Sequence, residues 1–292
     1  MTAPFGRVLT AMVTPFAADG SVDLKQAAVL ADRLVSEGND GLVISGTTGE
    51  APTTTRAEKA DLLRAVVDAV GGRAAVLAGV GTYDTANSVE LSQDAEKAGA
   101  TGLLAVTPYY SRPPQAGIVA HTIALAESTD LPVMLYDIPV RTGMALTHET
   151  LVTLAQHPQV VAVKDAKDDL VATTRLLAET DLAVYSGTDA LNLPLLAVGA
   201  VGMVSVVSHL VTPRLVEMVQ AYDSGDVARA AGLNLALQPL YAGIFRTQGV
   251  ILTKAALGLL GFGVGGVRLP LVEATAEQLD VLREDLAAGG VL

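Results

Sequence analysis

Eight short apolar runs recur along the chain with helix-like stretches between them, and few folds accommodate that rhythm. The runs are RVLTAMV (7–13), GLVIS (41–45), AVLAG (75–79), GLLAV (102–106), PVMLY (132–136), VVAVK (160–164), LAVYS (182–186) and VGMVSV (201–206). Continuous apolar strands, rather than alternating ones, are buried on both faces, as in a parallel sheet covered by helices. Between them, DLKQAAVLADRLVSEG and RAEKADLLRAVVDAVGG carry helical periodicity, and the second closes on glycines suited to a helix C-terminus. Eight such units close naturally into a (β/α)8 TIM barrel. The rival, an open doubly wound sheet, needs a glycine-rich turn after the first strand, where this chain has TPFAADG. After residue 207 the pattern is helical to the end. The expected organisation is α/β: a barrel over 1–224 and a C-terminal helical extension over 225–292, packed as one unit.

Composition narrows the chemistry. Half of the 292 residues are hydrophobic, enough for one large core. With 31 acidic against 19 basic residues the net charge is −12, which disfavours nucleic acid and anionic membrane surfaces as partners. An anionic substrate therefore needs a local cation. The absence of cysteine excludes disulfides, thiolate catalysis and cysteine-based zinc sites. The opening stretch MTAPFGRVLTAMVTPF lacks the features of a secretory signal, so a cytoplasmic location is expected. Residues 191–211 have about the length of a membrane span, but Asn192, Pro194, His209 and the VGAVG break fit a buried helix turn followed by a strand.

In a barrel the chemistry sits on the loops after the strands. Those ends supply Thr14, SGTTGE (45–50), GVGTYD (79–84), TPYYSRPP (107–114), Tyr136 with DIPVRTG, Lys164, SGTD (186–189) and Ser205. The set holds one amine, tyrosines, hydroxyls and an arginine, with no histidine and no carboxylate pair suited to a divalent ion. No cofactor and no metal is expected. His121, His148, His157 and His209 lack ligand spacing and read as surface or packing residues. GFGVGG (261–266) follows no strand and reads as a flexible turn.

Lys164 is the anomaly. It is one of six lysines and ends an apolar run. One reading pairs it with Asp165 or Asp189 inside the barrel. The other makes it an amine that forms a Schiff base with a carbonyl substrate. At its ordinary pKa of ~10.4 only about 0.04% would be neutral at pH 7, whereas desolvation by ~3 pH units leaves roughly a quarter nucleophilic. Such chemistry moves protons at several steps, and Tyr136 on the neighbouring strand could relay them or simply pack beneath a loop. The SGTTGE turn offers backbone N–H groups and two hydroxyls, a plausible cradle for a carboxylate.

Taken together, AMVTPF, SGTTGE, VTPYYSRPP, YDIPVRTG, VKDA and SGTDA resemble, in order and spacing, the pyruvate-dependent class I aldolases. Within them the chain is most similar to the dihydrodipicolinate synthases, particularly actinobacterial forms, from about residue 6 to the end. The resemblance implies a homotetramer, a dimer of dimers, condensing pyruvate with L-aspartate 4-semialdehyde in lysine and diaminopimelate biosynthesis. It implies Lys164 as the Schiff-base lysine and Tyr136 as the proton shuttle, linked through Thr48 to Tyr110, which enters a neighbouring subunit's site. It further implies Thr47 and Thr48 beside the pyruvate carboxylate, the Val204 backbone carbonyl beside pyruvate, and Arg141 on the carboxylate of the aldehyde. The family's usual YN(I/V)P is YDIP here and its frequent SGDD is SGTD, so Asp137 is expected to add an acid close to the mouth. N-acetylneuraminate lyase, a 2-keto-3-deoxy sugar acid aldolase and a non-enzymatic sensor are the alternatives. Arg141 argues against the first two, and retention of Lys164 and Tyr136 against the third. In lysine-inhibited relatives an interface cleft binds the inhibitor through two histidines, an asparagine and a glutamate. Arg56, Lys59, Tyr83 and Asn87 stand there instead, implying weak feedback inhibition.

Overall fold

The computed structural model describes residues 2–292. The apolar runs become β1 (Val8–Ala11), β2 (Gly41–Ile44), β3 (Ala75–Gly79), β4 (Gly102–Val106), β5 (Val133–Asp137), β6 (Val160–Asp165), β7 (Ala183–Ser186) and β8 (Gly202–Ser205). They form a closed parallel barrel in sequence order, with β8 returning to pair with β1. Around it lie α1 (Leu24–Ser36), α2 (Arg56–Val70), α3 (Thr85–Lys97), α4 (Gln115–Ala126), α5 (Pro139–Thr142), α6 (His148–Leu154), α7 (Leu170–Glu179), α8 (Asn192–Ala197) and α9 (Ser208–Asp223). Three more helices follow: α10 (Val227–Ile244), α11 (Gly249–Leu259) and α12 (Ala276–Ala288). The expected barrel is therefore present, with helices continuing beyond it.

Local chemistry sets the helix ends. Asp23, Asp84, Asp169 and Asp226 each cap a helix by accepting from backbone N–H groups of its first turn. Thr55 and Glu58 form a reciprocal capping box on α2, which stops at Gly71 with φ +55°. The stretch 191–211 breaks into α8, β8 and the start of α9, as its polar and glycine residues imply. Among the described residues no helix is long and apolar enough to cross a membrane.

Strand alternation sorts the barrel's side chains into an inner and an outer set. Inside, Lys164 lies in register with Tyr136 on β5 and Tyr185 on β7. One layer below, Met134, Ala162 and Ala183 share a register. Outward-facing apolar residues of the strands pack against the surrounding helices in a second cluster.

The GFGVGG stretch departs from expectation. Rather than a flexible turn it is wedged against the loop after β1, with the Phe16 N–H donating to the Val264 carbonyl at 3.0 Å. Gly265 has φ +72°, and a Cβ there would sit 1.8 Å from the Phe16 carbonyl oxygen. Only glycine permits this approach at position 265.

Candidate active site

Lys164, Tyr136, Thr47, Thr48 and Arg141 come together around one cavity of about 350 Å³ at the C-terminal ends of the strands. Thr47, Tyr136 and Arg141 also line an adjoining chamber of about 220 Å³ that extends towards Tyr109. Five of the seven residues expected at the site thus converge.

Lys164 is buried, and its Nζ lies 4.2 Å from the centroid of the Tyr136 ring. No carboxylate lies within ion-pair distance of it among the described residues. The Asp165 alternative fails because the residue after Lys164 faces outward. Its carboxylate accepts from Thr173 Oγ1 at 2.5 Å and from the Lys167 N–H at 2.9 Å. Asp189 lines the cavity, but its oxygens are occupied by Asn192 Nδ2, Ser205 Oγ and the N–H groups of Val206 and Val207. Burial consequently lowers the Lys164 pKa to about 8, with the Asp189 charge opposing the shift and Arg141 adding to it. Gly187 makes close packing against the lysine stem possible, since a Cβ there would lie 3.1 Å from Lys164 Cγ.

Tyr136 is likewise buried, which pushes its phenol up to about 12; the Arg141 charge and a hydrogen bond with Thr47 pull the other way. At neutral pH it is therefore a protonated phenol that can both donate and accept. Thr48, the relay threonine that the resemblance implies, lines the same cavity one residue after Thr47.

The SGTTGE turn is an open donor set. The N–H groups of Glu50 and Ala51 close it onto the carbonyls of Thr47 and Gly46, and Thr14 Oγ1 donates to the Gly49 carbonyl at 2.6 Å. Among the described residues the N–H groups of Thr47 and Thr48 have no acceptor. Opposite, Arg141 projects from α5, and its guanidinium has no ion-pair partner among the described residues.

Two expected residues lie elsewhere. Val204 sits within β8, paired with Leu9, its side chain packed in the core. Any contact it makes with substrate is through its main chain; Val206 supplies the side chain that lines the cavity. Tyr110 is 90% exposed at φ +70° and lines neither chamber, while Tyr109 packs edge-on against Tyr83 at 5.3 Å between centroids. Asp137 corrects an expectation outright. It is fully buried and faces away from the mouth because alternation turns it opposite to Tyr136. There it accepts from the Leu146 N–H at 3.2 Å and pairs with Lys167 at 3.3 Å. Sequence reasoning missed the wall formed by Tyr241, Phe245 and Gln248–Val250, which reaches the cavity from the C-terminal helices.

A second cleft of about 200 Å³ holds Arg56, Lys59, Tyr83 and Asn87 together with Tyr109. Arg56 is hydrogen-bonded to Glu90 and Asp94, and Lys59 donates to the carbonyls of Ala51 and Thr54. The histidines do not gather: His121 bonds Thr85, His148 bonds Glu179, and buried His209 accepts from the Val13 N–H.

Comparison with known proteins bears on the family and the fold. Residues 4–289 match the model of the dihydrodipicolinate synthetase family. A 4-hydroxy-tetrahydrodipicolinate synthase of Acidothermus cellulolyticus is 64% identical over 99% of this chain and 94% of its own length. A Streptomyces coelicolor protein named 4-hydroxy-tetrahydrodipicolinate synthase 2 is 60% identical over 99% of this chain and 96% of its own. The crystal structure of the Cyanidioschyzon merolae synthase with lysine bound superposes with a TM-score of 0.97 at 43% identity, over all of both chains. With its barrel closed around a buried lysine and nearly its whole length matched, the chain belongs to the dihydrodipicolinate synthetase family.

Proposed function

We propose that this chain condenses pyruvate with L-aspartate 4-semialdehyde to give 4-hydroxy-tetrahydrodipicolinate, with Lys164 as the Schiff-base amine. The observation that carries the assignment of roles is the environment of Lys164: a buried amine with a pKa of about 8 that shares one cavity with Thr47, Thr48 and Arg141, whose N–H groups and guanidinium have no partner of their own among the described residues. About a tenth of such an amine is neutral at pH 7, some 300 times more than at the ordinary value.

The chemistry follows from that placement. Lys164 Nζ adds to the pyruvate keto carbon while the pyruvate carboxylate accepts from the Thr47 and Thr48 N–H groups. Loss of water from the carbinolamine gives an iminium, and removal of a methyl proton gives the enamine. Tyr136, with Thr47 and Thr48 lining the same cavity, carries these protons. The enamine carbon attacks the aldehyde, whose own carboxylate is held by Arg141. The aldehyde's amine then adds to the iminium carbon, which closes the ring and releases Lys164. A homotetramer with Tyr110 shared across subunits, and a cytoplasmic location, belong to the same reading. Exposed Tyr110 and Tyr83, 90% and 61% accessible, support association on that face.

A coupled assay with pyruvate and aspartate semialdehyde, run beside N-acetylneuraminate cleavage, tests the substrate. Turnover of the first pair alone is expected; cleavage of the sugar acid alone would overturn the reading.

Feedback by L-lysine is expected to be weak. The Lys59 ammonium already occupies two carbonyls of the cleft, and Asn87 offers no carboxylate to a bound ammonium. The Arg56 charge is offset by Glu90 and Asp94, so repulsion contributes little. One missing charge-assisted bond costs about 1.5–3 kcal/mol, or roughly 10- to 100-fold in affinity. Half-inhibition in the coupled assay below about 1 mM lysine would contradict this account of the cleft.

A further inference from the structure

Glu50 and Lys254 form a buried ion pair that the reaction steps above do not use. Glu50 ends the SGTTGE turn at φ +55°, a left-handed conformation that non-glycine residues seldom adopt. Both of its oxygens are held by the C-terminal segment: Oε1 lies 2.8 Å from Lys254 Nζ, and Oε2 accepts from the Arg268 N–H at 2.9 Å. Lys254 also donates to the Gly266 carbonyl at 2.6 Å and lies 4.2 Å from the centroid of the Phe16 ring. Arg268 covers the same ring at 4.4 Å and hydrogen-bonds the Thr53 carbonyl and Glu58. The side chains of the pair are 3% and 1% exposed, so this tie is shielded from solvent and salt.

What the pair joins is the point. Glu50 lies two residues after Thr48 of the carboxylate cradle. Lys254 lies one helical turn after Val250 on α11, and Gln248, Gly249 and Val250 form the opposing wall of the same cavity. The two walls arise from residues some 200 positions apart in the chain. The Glu50–Lys254 contact links the two directly, with Arg268 bonded to Glu50 beside it.

We infer that Glu50 and Lys254 are positioning residues that set the distance between the Thr47–Thr48 cradle and the α11 wall, and hence the fit of pyruvate, without touching it. This inference rests on the proposed Schiff-base reading. The bland alternative is a pair that only holds the fold together. A positioning role moves the KM for pyruvate selectively, whereas a purely structural role lowers the melting temperature and the fraction of active protein.

Two variants separate the possibilities. Glu50→Gln/Lys254→Met removes both charges together and strands neither. Lys254→Arg keeps the buried charge paired but is bulkier at the contact, so it protects folding while moving α11. For each folded variant, KM for pyruvate, KM for the aldehyde and kcat are measured beside borohydride trapping at saturating pyruvate. The expected result is a rise of about tenfold or more in pyruvate KM, with the aldehyde KM and kcat within about twofold of wild type and trapping undiminished. An unchanged pyruvate KM in Lys254→Arg overturns the inference, whatever becomes of the double variant. So does a proportional loss of all three parameters in step with lower thermal stability. Failure of wild type to be trapped by pyruvate would instead refute the Schiff-base reading.

Discussion

Replacing Lys164 by Met is expected to abolish turnover and to leave a more stable protein. Without a primary amine no imine forms, and activity should fall by about 10³-fold or more. Stability moves the other way because burying the ammonium is costly. Lowering the lysine pKa from 10.5 to about 8 corresponds to about 3 kcal/mol of destabilisation. The sign is set by linkage: the unfolded chain binds the proton more tightly than the folded one. The cost is therefore full below pH 8 and fades as pH rises towards 10.5. Thermal melting of the two proteins should show the variant ahead at pH 7 and the gap closing above pH 8. A variant no more stable than wild type at pH 7 would mean that Lys164 is stabilised by a partner.

The second large effect concerns association. Tyr110→Phe alone should cost about 10²-fold or more in activity if its hydroxyl completes the relay in a neighbouring subunit. Mixing Tyr110→Phe with Lys164→Ala chains is then expected to restore function, because in each mixed pair one site keeps both groups. Random exchange makes half of the dimers mixed with one intact site in each, so about a quarter of wild-type activity should return. Native mass spectrometry verifies the exchange. Mixed dimers without recovered activity would place Tyr110 outside the site.

Much of this was legible in the sequence because barrel strands are continuous apolar runs and barrel chemistry lies at their ends. Lys164 and Tyr136 each stand where a run stops, and Arg141 follows five residues after the latter. What was not legible depended on direction or on distant chain. Asp137 looked like an acid at the mouth because it adjoins Tyr136, yet alternation turns adjacent residues to opposite faces. Which of Thr47 and Thr48 turns its hydroxyl towards Tyr136 depends on the orientation of a six-residue turn, where no periodicity helps. Tyr241 and Gln248–Val250 reach the cavity only through the packing of α10 and α11, which leaves no local signal. The GFGVGG stretch read as a flexible turn, although the close approach to Phe16 demands glycine at position 265.

The central claim is that Lys164 is the amine that captures pyruvate. Borohydride reduction of the protein with pyruvate, followed by peptide mass spectrometry, tests it most directly. The account predicts one reduced adduct per chain, on the peptide carrying Lys164, forming faster as pH rises to about 8 and levelling above it. An adduct on Lys167, which the structure pairs with Asp137, or no adduct at all, would contradict it.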